Sequence, residues 1–186
     1  MQGRENIDSL LAESFKALVL EESVEKITIK EITDQAGVIR PTFYNHFQDK
    51  YELLEWIIRT EVIDPVRPLI LGGFVNESVI LMFKNIYRDK SFYQRASRLE
   101  GQNSFMELCQ KCVEELLLEL FQGQIEKNQP LKWLTAERLS RYYANSICYV
   151  IISWIRSGYS IDPAELSEIY EYVISHSIKN ILEELK

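Results

Sequence analysis

The stretch Thr28–Lys50, TIKEITDQAGVIRPTFYNHFQDK, carries the signals of two short helices joined by a tight turn. Thr28 is a good N-cap, and Glu31 three residues later completes a capping box that starts a helix. Gly37 is expected to end that helix, because glycine readily takes the positive φ of a helix C-terminus. Pro41 suits the first turn of a second helix, where its missing N–H is no loss. The stretch therefore predicts a helical hairpin, and a third helix follows Asp49.

The predicted second helix has an apolar side and a polar side. Phe43 and Phe47 are four residues apart, so they point the same way and form the buried side. The other sides carry a dense row of hydrogen-bonding groups: Arg40, Thr42, Tyr44, Asn45 and His46. A short helix that is held from behind and presents such groups suits the major groove of DNA. The residues alone leave a second interpretation open, an ordinary helical hairpin with a solvated face.

The segment GVIRPTFYNHFQDKYELL, which starts at Gly37, resembles the helix-turn-helix signature of the TetR/AcrR family of transcriptional regulators. The matching positions are Thr28, Gly37, Thr42, Tyr44, His46, Phe47, Lys50 and Leu53. The resemblance implies an all-α fold of about nine helices, with an N-terminal three-helix DNA-binding domain and a C-terminal helical regulatory and dimerisation domain. One departure is Ile39, where the family usually has a small capping residue such as serine.

Family resemblance and side-chain chemistry together predict the DNA contacts: Thr28, Lys30, Arg40, Pro41, Thr42, Tyr44, Asn45, His46 and Lys50. Arg40 and Asn45 are the expected base readers, since arginine suits guanine and asparagine suits adenine. The residues expected to position the protein on phosphates and groove edges are Thr42, Tyr44, His46 and Lys50. Lys30 matches a contact position of the family.

The composition of the 186-residue chain is typical of one helix-rich core, because 46% of its residues are hydrophobic and it has only 7 Gly and 5 Pro. The longest apolar run, Ile147–Ile155, is too short to cross a bilayer, and no secretory signal opens the chain. We therefore expect no membrane partner. Three cysteines without a disulfide framework indicate a reducing cytoplasm.

The charge of the chain does not at first sight favour nucleic acid. The net charge is −7, and residues 1–60 carry seven basic and eleven acidic side chains. The segment Lys26–Lys50 is the exception, with a net charge of +1. DNA binding needs a locally positive surface and not a positive net charge, so the net charge does not exclude DNA binding.

Helical periodicity continues through the rest of the chain. A first helix is predicted over residues 6–22, and a helix over Tyr51–Val62 links the DNA face to the body before Asp64, Pro65 and Pro68 stop it. The predicted boundary lies near Arg59, with a DNA-binding domain at 1–59 and an effector-binding and dimerisation domain at 60–186. Later helices are predicted to begin near Ser78, Ser91, Ser104, Thr135 and Asp162, the last of them running almost to Lys186.

The last two predicted helices carry more apolar surface than one core can use. A helix that is apolar all round must be buried all round, and a second copy of the chain can cover it through a two-fold interface. The residues expected at this interface are Ile147, Ile151, Trp154, Ile174 and Ile178. The family resemblance implies the same homodimer, built from a four-helix bundle.

The middle of the chain is rich in aromatic side chains with polar tips. The candidates for an effector pocket are Tyr87, Tyr93, Arg98, Asn103, Phe105, Tyr142 and Tyr149. Core packing accounts for any one of them, but TetR-like regulators bind effectors between their body helices. The stretch Phe92–Phe105 also resembles a subgroup that includes dihydroxyacetone-kinase activators, whose body can dock a protein. The effector is therefore expected to be a small molecule or a protein co-regulator.

Cofactor and catalytic signals are weak. Cys109 and Cys112 form a C-x-x-C pair, but a structural zinc site needs four ligands. The only histidines of the sequence are His46 and His176, and His46 lies in the predicted second helix. Buried core cysteines are the preferred interpretation, and a thiol sensor stays open. The sequence has no phosphate loop, nucleophile elbow or metal-ligand cluster, so we expect neither an enzyme nor a cofactor. The alternative function is a helical ligand-binding or interaction module whose helix-turn-helix no longer binds DNA.

Overall fold

The structure, a computed structural model, describes residues 2–125 and 133–184, without the side chains of residues 2–5, 123, 124 and 178. Its helices are α1 Gln2–Val19, α2 Ile29–Ala36, α3 Arg40–Tyr44, α4 Lys50–Ile58, α5 Asp64–Leu71, α6 Val75–Arg88, α7 Lys90–Ala96, α8 Phe105–Ile125, α9 Ala136–Arg156, α10 Pro163–Ser175 and α11 Ile178–Glu184. The described ranges contain no strand, which confirms the predicted all-α class. None of the described helices is long and apolar enough to cross a membrane.

Three helices of the body begin at the caps that the sequence predicts. Ser104 and Glu107 form a reciprocal capping box before α8, with N–O distances of 3.1 and 3.3 Å. The Thr135 hydroxyl accepts a hydrogen bond from the Arg138 N–H at the start of α9. The Asp162 carboxylate accepts bonds from the backbone N–H groups of the first turn of α10. Residues 126–132, between α8 and the Thr135 cap, lie outside the described residues.

The link between the N-terminal helices, α1 to α4, and the body, from α5 onward, differs from its prediction. The helical conformation does not end before Pro65 and Pro68, because a π-helical turn, Arg59–Ile63, leads from α4 directly into α5. Pro65 sits in the first turn of α5, where a missing N–H does little harm. In an uninterrupted α-helix the ring of Pro65 would crowd the carbonyl four residues earlier, and the wider π turn relieves that constraint. The predicted boundary near Arg59 falls at this turn and stays a prediction.

The last predicted helix is also interrupted. His176 has an extended backbone, with φ −113° and ψ 137°, and divides α10 from α11. Ser175 and Ser177 favour this break, because serine hydroxyls compete for backbone groups. The Ser175 hydroxyl bonds the Glu171 carbonyl, and the Ser177 hydroxyl caps the Asn180 N–H of α11. Because of the π turn at Arg59–Ile63 and the break at His176, the structure has more separate helices than the sequence predicts.

Ion pairs join the N-terminal helices to the body. Lys16 of α1 places its ammonium 2.9 Å from the Glu61 carboxylate, in the π turn, and 2.8 Å from Asp89, at the α6–α7 corner. Burial disfavours charge on Lys16, but its hydrogen bonds to Asp89 and Glu61 outweigh this and raise its pKa. Arg59 makes a second link, 2.6 Å from Glu115 of α8. The sequence offered no local signal for these long-range pairs.

The three cysteines are buried in the core of the body. Burial raises the pKa of Cys112 and of Cys148 to about 12 and raises the pKa of Cys109 as well. A thiol with a raised pKa is a poor nucleophile, because the reactive form is the thiolate. Their placement agrees with the core interpretation of the C-x-x-C pair.

Candidate nucleic-acid interface

Helix α2 is fixed at both ends by the residues that the sequence singled out. The Thr28 N–H donates to the Glu31 carboxylate at 2.7 Å, and the Glu31 N–H donates to the Thr28 hydroxyl at 3.2 Å. Hydrogen bonds from the Thr28 hydroxyl and backbone lower the pKa of Glu31. Gly37 closes the helix with φ +66°, and its N–H returns to the Asp34 and Thr33 carbonyls. Thr28 therefore acts as a cap in this structure.

Helix α3 is anchored from behind by aromatic packing. Phe43 is fully buried and Phe47 nearly so, with ring centroids 5.9 Å apart. Phe47 also meets Trp56 of α4 edge-on at 6.0 Å. Ile39 at the N-cap makes no side-chain cap bond and is 69% exposed. A five-residue helix cannot persist alone, so this packing holds it in place.

The outer side of α3 forms what we call the recognition face, which consists of Arg40, Pro41, Thr42, Tyr44 and Asn45. Thr42 is half-buried and the other four are exposed. The Arg40 guanidinium lies 3.4 Å from the Tyr44 hydroxyl. The structure therefore brings together both predicted base readers and two of the four predicted positioning residues, Thr42 and Tyr44, on one surface.

His46 faces α1 and not the recognition face. Its Nδ1 lies 2.6 Å from the Asp8 carboxylate, and both side chains are largely buried. Because the carboxylate accepts, Nδ1 carries the hydrogen, and the ring is held in one orientation. This pair fastens α3 to α1. The sequence analysis missed Asp8, since nothing local connects two residues 38 positions apart.

Lys50 is also engaged within the protein, and its predicted phosphate contact stays a prediction. Its ammonium donates to the Glu25 and Ile27 carbonyls, both at 2.7 Å. Burial lowers the pKa of Lys50. These bonds tie the start of α4 to the loop between α1 and α2. Lys50 thus stabilises the headpiece, by which we mean α1 to α4, and in this structure its ammonium does not point toward a phosphate position.

Lys30 lies on the exposed surface of α2 and is paired locally. Its ammonium is 2.7 Å from the Asp34 carboxylate, one turn later, and this hydrogen bond raises the pKa of Lys30. Both side chains are more than 60% exposed, so water screens the pair and it can open at little cost. Lys30 is therefore an exposed cation whose partner can be exchanged.

The seven effector candidates do not form one pocket. Tyr93 and Phe105 are core residues, each only 1% exposed. Tyr87 stacks on Trp154 at the surface, with ring centroids 6.1 Å apart. The candidates that point into solvent are Arg98, Asn103, Tyr142 and Tyr149. This placement corrects the predicted pocket, because Tyr142 and Tyr149 lie on the outer side of α9.

The body nevertheless contains a cavity of about 240 Å³ between α5, α6, α8, α9 and α10. Its described lining is almost entirely apolar and includes the rings of Phe121, Tyr143 and Tyr170. None of the seven effector candidates belongs to it. The sequence analysis missed this site because its lining residues looked like ordinary core.

The predicted dimer residues are mostly buried within one chain. Ile147, Ile151 and Trp154 are each at most 5% exposed, and the Trp154 indole donates to the Ile161 carbonyl at 2.7 Å. Ile174 is 36% exposed beside the cavity, and the side chain of Ile178 lies outside the described residues. The prediction is corrected for Ile147, Ile151 and Trp154, because these side chains fill the core of their own chain, whereas Ile174 and Ile178 stay predictions. The exposed apolar side chains on α9 and α10 are Tyr142, Tyr149, Ile169, Tyr172, Val173 and Ile174.

Two family models match the chain. Residues 16–57 match bacterial regulatory proteins of the tetR family, and residues 75–176 match a transcriptional regulator C-terminal region. The second match alone covers more than half of the chain. Together the two models span both the helix-turn-helix and the body.

Individual relatives agree with these models. The chain is 28% identical over 156 residues to the HTH-type dhaKLM operon transcriptional activator DhaS of Lactococcus lactis, covering 82% of this chain and 81% of that protein. The structure of a dihydroxyacetone kinase operon activator DhaS aligns over 91% and 92% of the two chains, with 23% identity and a TM-score of 0.58. The predicted resemblance to this subgroup is confirmed.

A second solved structure shares the fold. The fatty acid degradation regulator FadR from Bacillus halodurans aligns over 94% of this chain and 97% of its own, with 18% identity and a TM-score of 0.66. At this identity the likeness concerns the fold alone. The helix-turn-helix geometry, the helical body and the two family models lead to one conclusion: the chain belongs to the TetR family of bacterial transcriptional regulators.

Proposed function

We propose that this regulator acts in the cytoplasm as a homodimer, binds a pseudo-palindromic double-stranded DNA operator, and changes its DNA affinity when a ligand or a protein partner engages its body. The observation that carries the proposal is the recognition face on α3. It is exposed, while Phe43 and Phe47 hold the helix from behind. A short, rigidly supported helix of this kind can enter the major groove without first being ordered.

Each group of the recognition face has a distinct role in the proposal. Arg40 and Asn45 read base edges, and the Tyr44 hydroxyl bonds a phosphate oxygen. Lys30 exchanges Asp34 for a second phosphate, which its exposed position allows. His46 and Lys50 support this surface from inside the headpiece.

The homodimer is proposed to form through the outer sides of α9 and α10. Tyr142 and Tyr149 are 69% and 68% exposed, and Ile169 and Val173 are 45% and 55% exposed. Tyr142 and Tyr149 lie on one side of α9, about two turns apart, and Ile169 and Val173 lie on one side of α10, about one turn apart. A two-fold axis through such a surface would place two recognition faces on one DNA molecule and would require a pseudo-palindromic site.

The dimer surface can be tested by sedimentation. Val173→Glu should dissociate the protein at micromolar concentration, because it places a carboxylate in the proposed apolar contact. Leu20→Glu is the matched control, since Leu20 is 43% exposed at the end of α1. A wild-type protein that sediments as a folded monomer would contradict the homodimer.

Control of DNA binding is proposed to pass through the π turn. Ile63 lines the cavity, and Glu61 of the same turn pairs with Lys16 of α1. A ligand that shifts Ile63 therefore acts on the turn that fastens the DNA-binding helices to the body. Such a ligand changes DNA affinity only by its preference for one of the two arrangements.

The DNA proposal is tested by selection from random duplexes with the purified protein. The expected result is enrichment of a sequence with two inverted half-sites about one helical turn or a little more apart. Binding should weaken steeply as salt is raised, because phosphate contacts release counterions. If no duplex is enriched, with or without candidate effectors, the alternative of a helical interaction module without DNA affinity is favoured.

A further inference from the structure

We propose that the cavity of the body binds the uncharged aliphatic chain of an amphiphilic ligand, whose neutral polar end stays at the mouth between Val75 and Ile174. The regulatory consequence of this binding rests on the proposed function, but the binding itself does not.

The lining excludes a charged group from the interior. Its described residues include no acidic, basic or amide side chain. The Ser78 hydroxyl already donates to the Val75 carbonyl at 2.6 Å. Within the described residues, every buried side-chain polar atom has a partner. A charge placed here would lose its hydration without gaining a counter-charge, whereas a hydrocarbon loses nothing.

The volume and extent of the cavity fit a chain better than a compact molecule. About 240 Å³ is larger than the apolar cavity of ~150 Å³ that stays dry and accepts benzene. Along α8 its lining follows one stripe: Val113, Leu116, Leu117, Leu120 and Phe121. Eight residues of rise give this stripe a length of roughly 12 Å. The stripe therefore outlines an elongated site.

The mouth shows which end of the ligand remains outside. Val75 and Ile174 line the cavity and are also 39% and 36% exposed, so the cavity opens between α6 and α10. Beside them, the Asn76 amide bonds the Glu171 carboxylate across the same two helices. A hydroxyl or an ester can join this hydrogen bond, but a carboxylate would meet the negative charge of Glu171. The geometry thus favours a neutral head group.

The first test compares ligands on the unmodified protein without DNA. We expect 1-decanol to raise the midpoint of thermal unfolding in a concentration-dependent manner, because a ligand that binds only the folded state stabilises it. Calorimetry should show decanoate binding at least tenfold more weakly than 1-decanol, and glycerol should have no effect. Equal or tighter binding of decanoate, stabilisation by glycerol, or no binding of 1-decanol would each overturn the proposal.

The second test places the ligand in the cavity. Leu120→Phe fills the stripe and should weaken 1-decanol binding at least tenfold, whereas Leu118→Phe, on the same helix but outside the described lining, should bind like wild type. Ile174→Phe at the mouth is a second cavity variant in case Leu120→Phe does not fold. A folded cavity variant that binds 1-decanol like wild type would contradict this site.

The ligand tests and the DNA selection fail independently. Binding of 1-decanol without any enriched duplex would support the cavity and contradict the DNA proposal. An enriched duplex without 1-decanol binding would do the reverse. With both present, 1-decanol should change the affinity for the selected duplex, and Leu120→Phe should remove that change.

Discussion

The DNA-binding headpiece, α1 to α4, and the body, from α5 onward, use their apolar residues differently. The headpiece closes around its aromatics and adds polar supports, such as the Asp8–His46 pair and the bonds from Lys50 to two carbonyls. The body encloses a cavity of about 240 Å³ lined mainly by apolar side chains. The headpiece is therefore built to hold one surface in a fixed position, whereas the body has room to adapt to a bound molecule.

The largest effect is expected from the aromatic support of α3. Phe43→Ala should lower the free energy of unfolding by roughly 3–5 kcal/mol, because it empties a fully buried site behind the recognition face. Ile39→Ala, four residues earlier and 69% exposed, should change it by less than about 0.5 kcal/mol. Urea denaturation measures both. Equal losses would mean that α3 is not held in the way described.

A matched pair of leucines compares the two cores directly. Leu54 in the headpiece is fully buried, and Leu116 is 4% exposed but borders the cavity. Both changes to Ala should cost within the usual ~2–5 kcal/mol, with Leu116→Ala cheaper by about 1 kcal/mol or more. The reason is that Leu116 already lacks contacts on its cavity side. A larger loss for Leu116→Ala would contradict the open body.

Lys16 connects the two regions, and its contribution should depend on pH. Lys16→Met should cost about 1–2 kcal/mol at neutral pH after allowance for screening, since it leaves Glu61 and Asp89 without their cation. Because folding raises the pKa of Lys16, this stability is fully present below the ordinary value of 10.5 and is lost as pH rises through the raised value. Urea denaturation of both proteins from neutral to strongly alkaline pH checks the trend. A difference that persists unchanged at the alkaline end would count against the ion pairs.

The smallest effect separates a supporting lysine from a surface lysine. Lys50→Met should cost about 1 kcal/mol, because it removes two charge-assisted bonds to the Glu25 and Ile27 carbonyls. Lys30→Met should leave the unfolding free energy unchanged, since its pair with Asp34 is exposed. In DNA titrations across a salt series, only Lys30→Met should reduce the slope, by about one unit for one phosphate contact. The reverse assignment would restore Lys50 as the phosphate contact.

The headpiece could be predicted from the sequence because its signals are local. The Thr28–Glu31 box, Gly37 and the spacing of Phe43 and Phe47 each act within a few residues, and the structure forms all of them. The partners of His46 and Lys50 could not be predicted in this way. Asp8 and the carbonyls of the α1–α2 loop reach them only after the chain has folded.

The body was predicted less well for a related reason. Caps at Ser104, Thr135 and Asp162 are local and were found, but the direction of each helix face depends on its neighbours. The run around Ile147 looked apolar on all sides, yet its isoleucines turn inward while Tyr142 and Tyr149 turn outward. The cavity had no signal in the sequence, because the apolar residues that line it follow the same order along each helix as residues that pack tightly.

Titration of the selected duplex with wild type and Arg40→Ala tests whether α3 reads DNA through its recognition face. Arg95→Ala, which removes an exposed arginine of α7, is the matched control. Arg40→Ala should keep the wild-type unfolding free energy, lose about 1–3 kcal/mol of binding, and relax the preference at one base pair in each half-site. Arg95→Ala should match wild type in all three respects. If Arg40→Ala binds the selected duplex as tightly and as selectively as wild type, α3 does not read DNA through its recognition face.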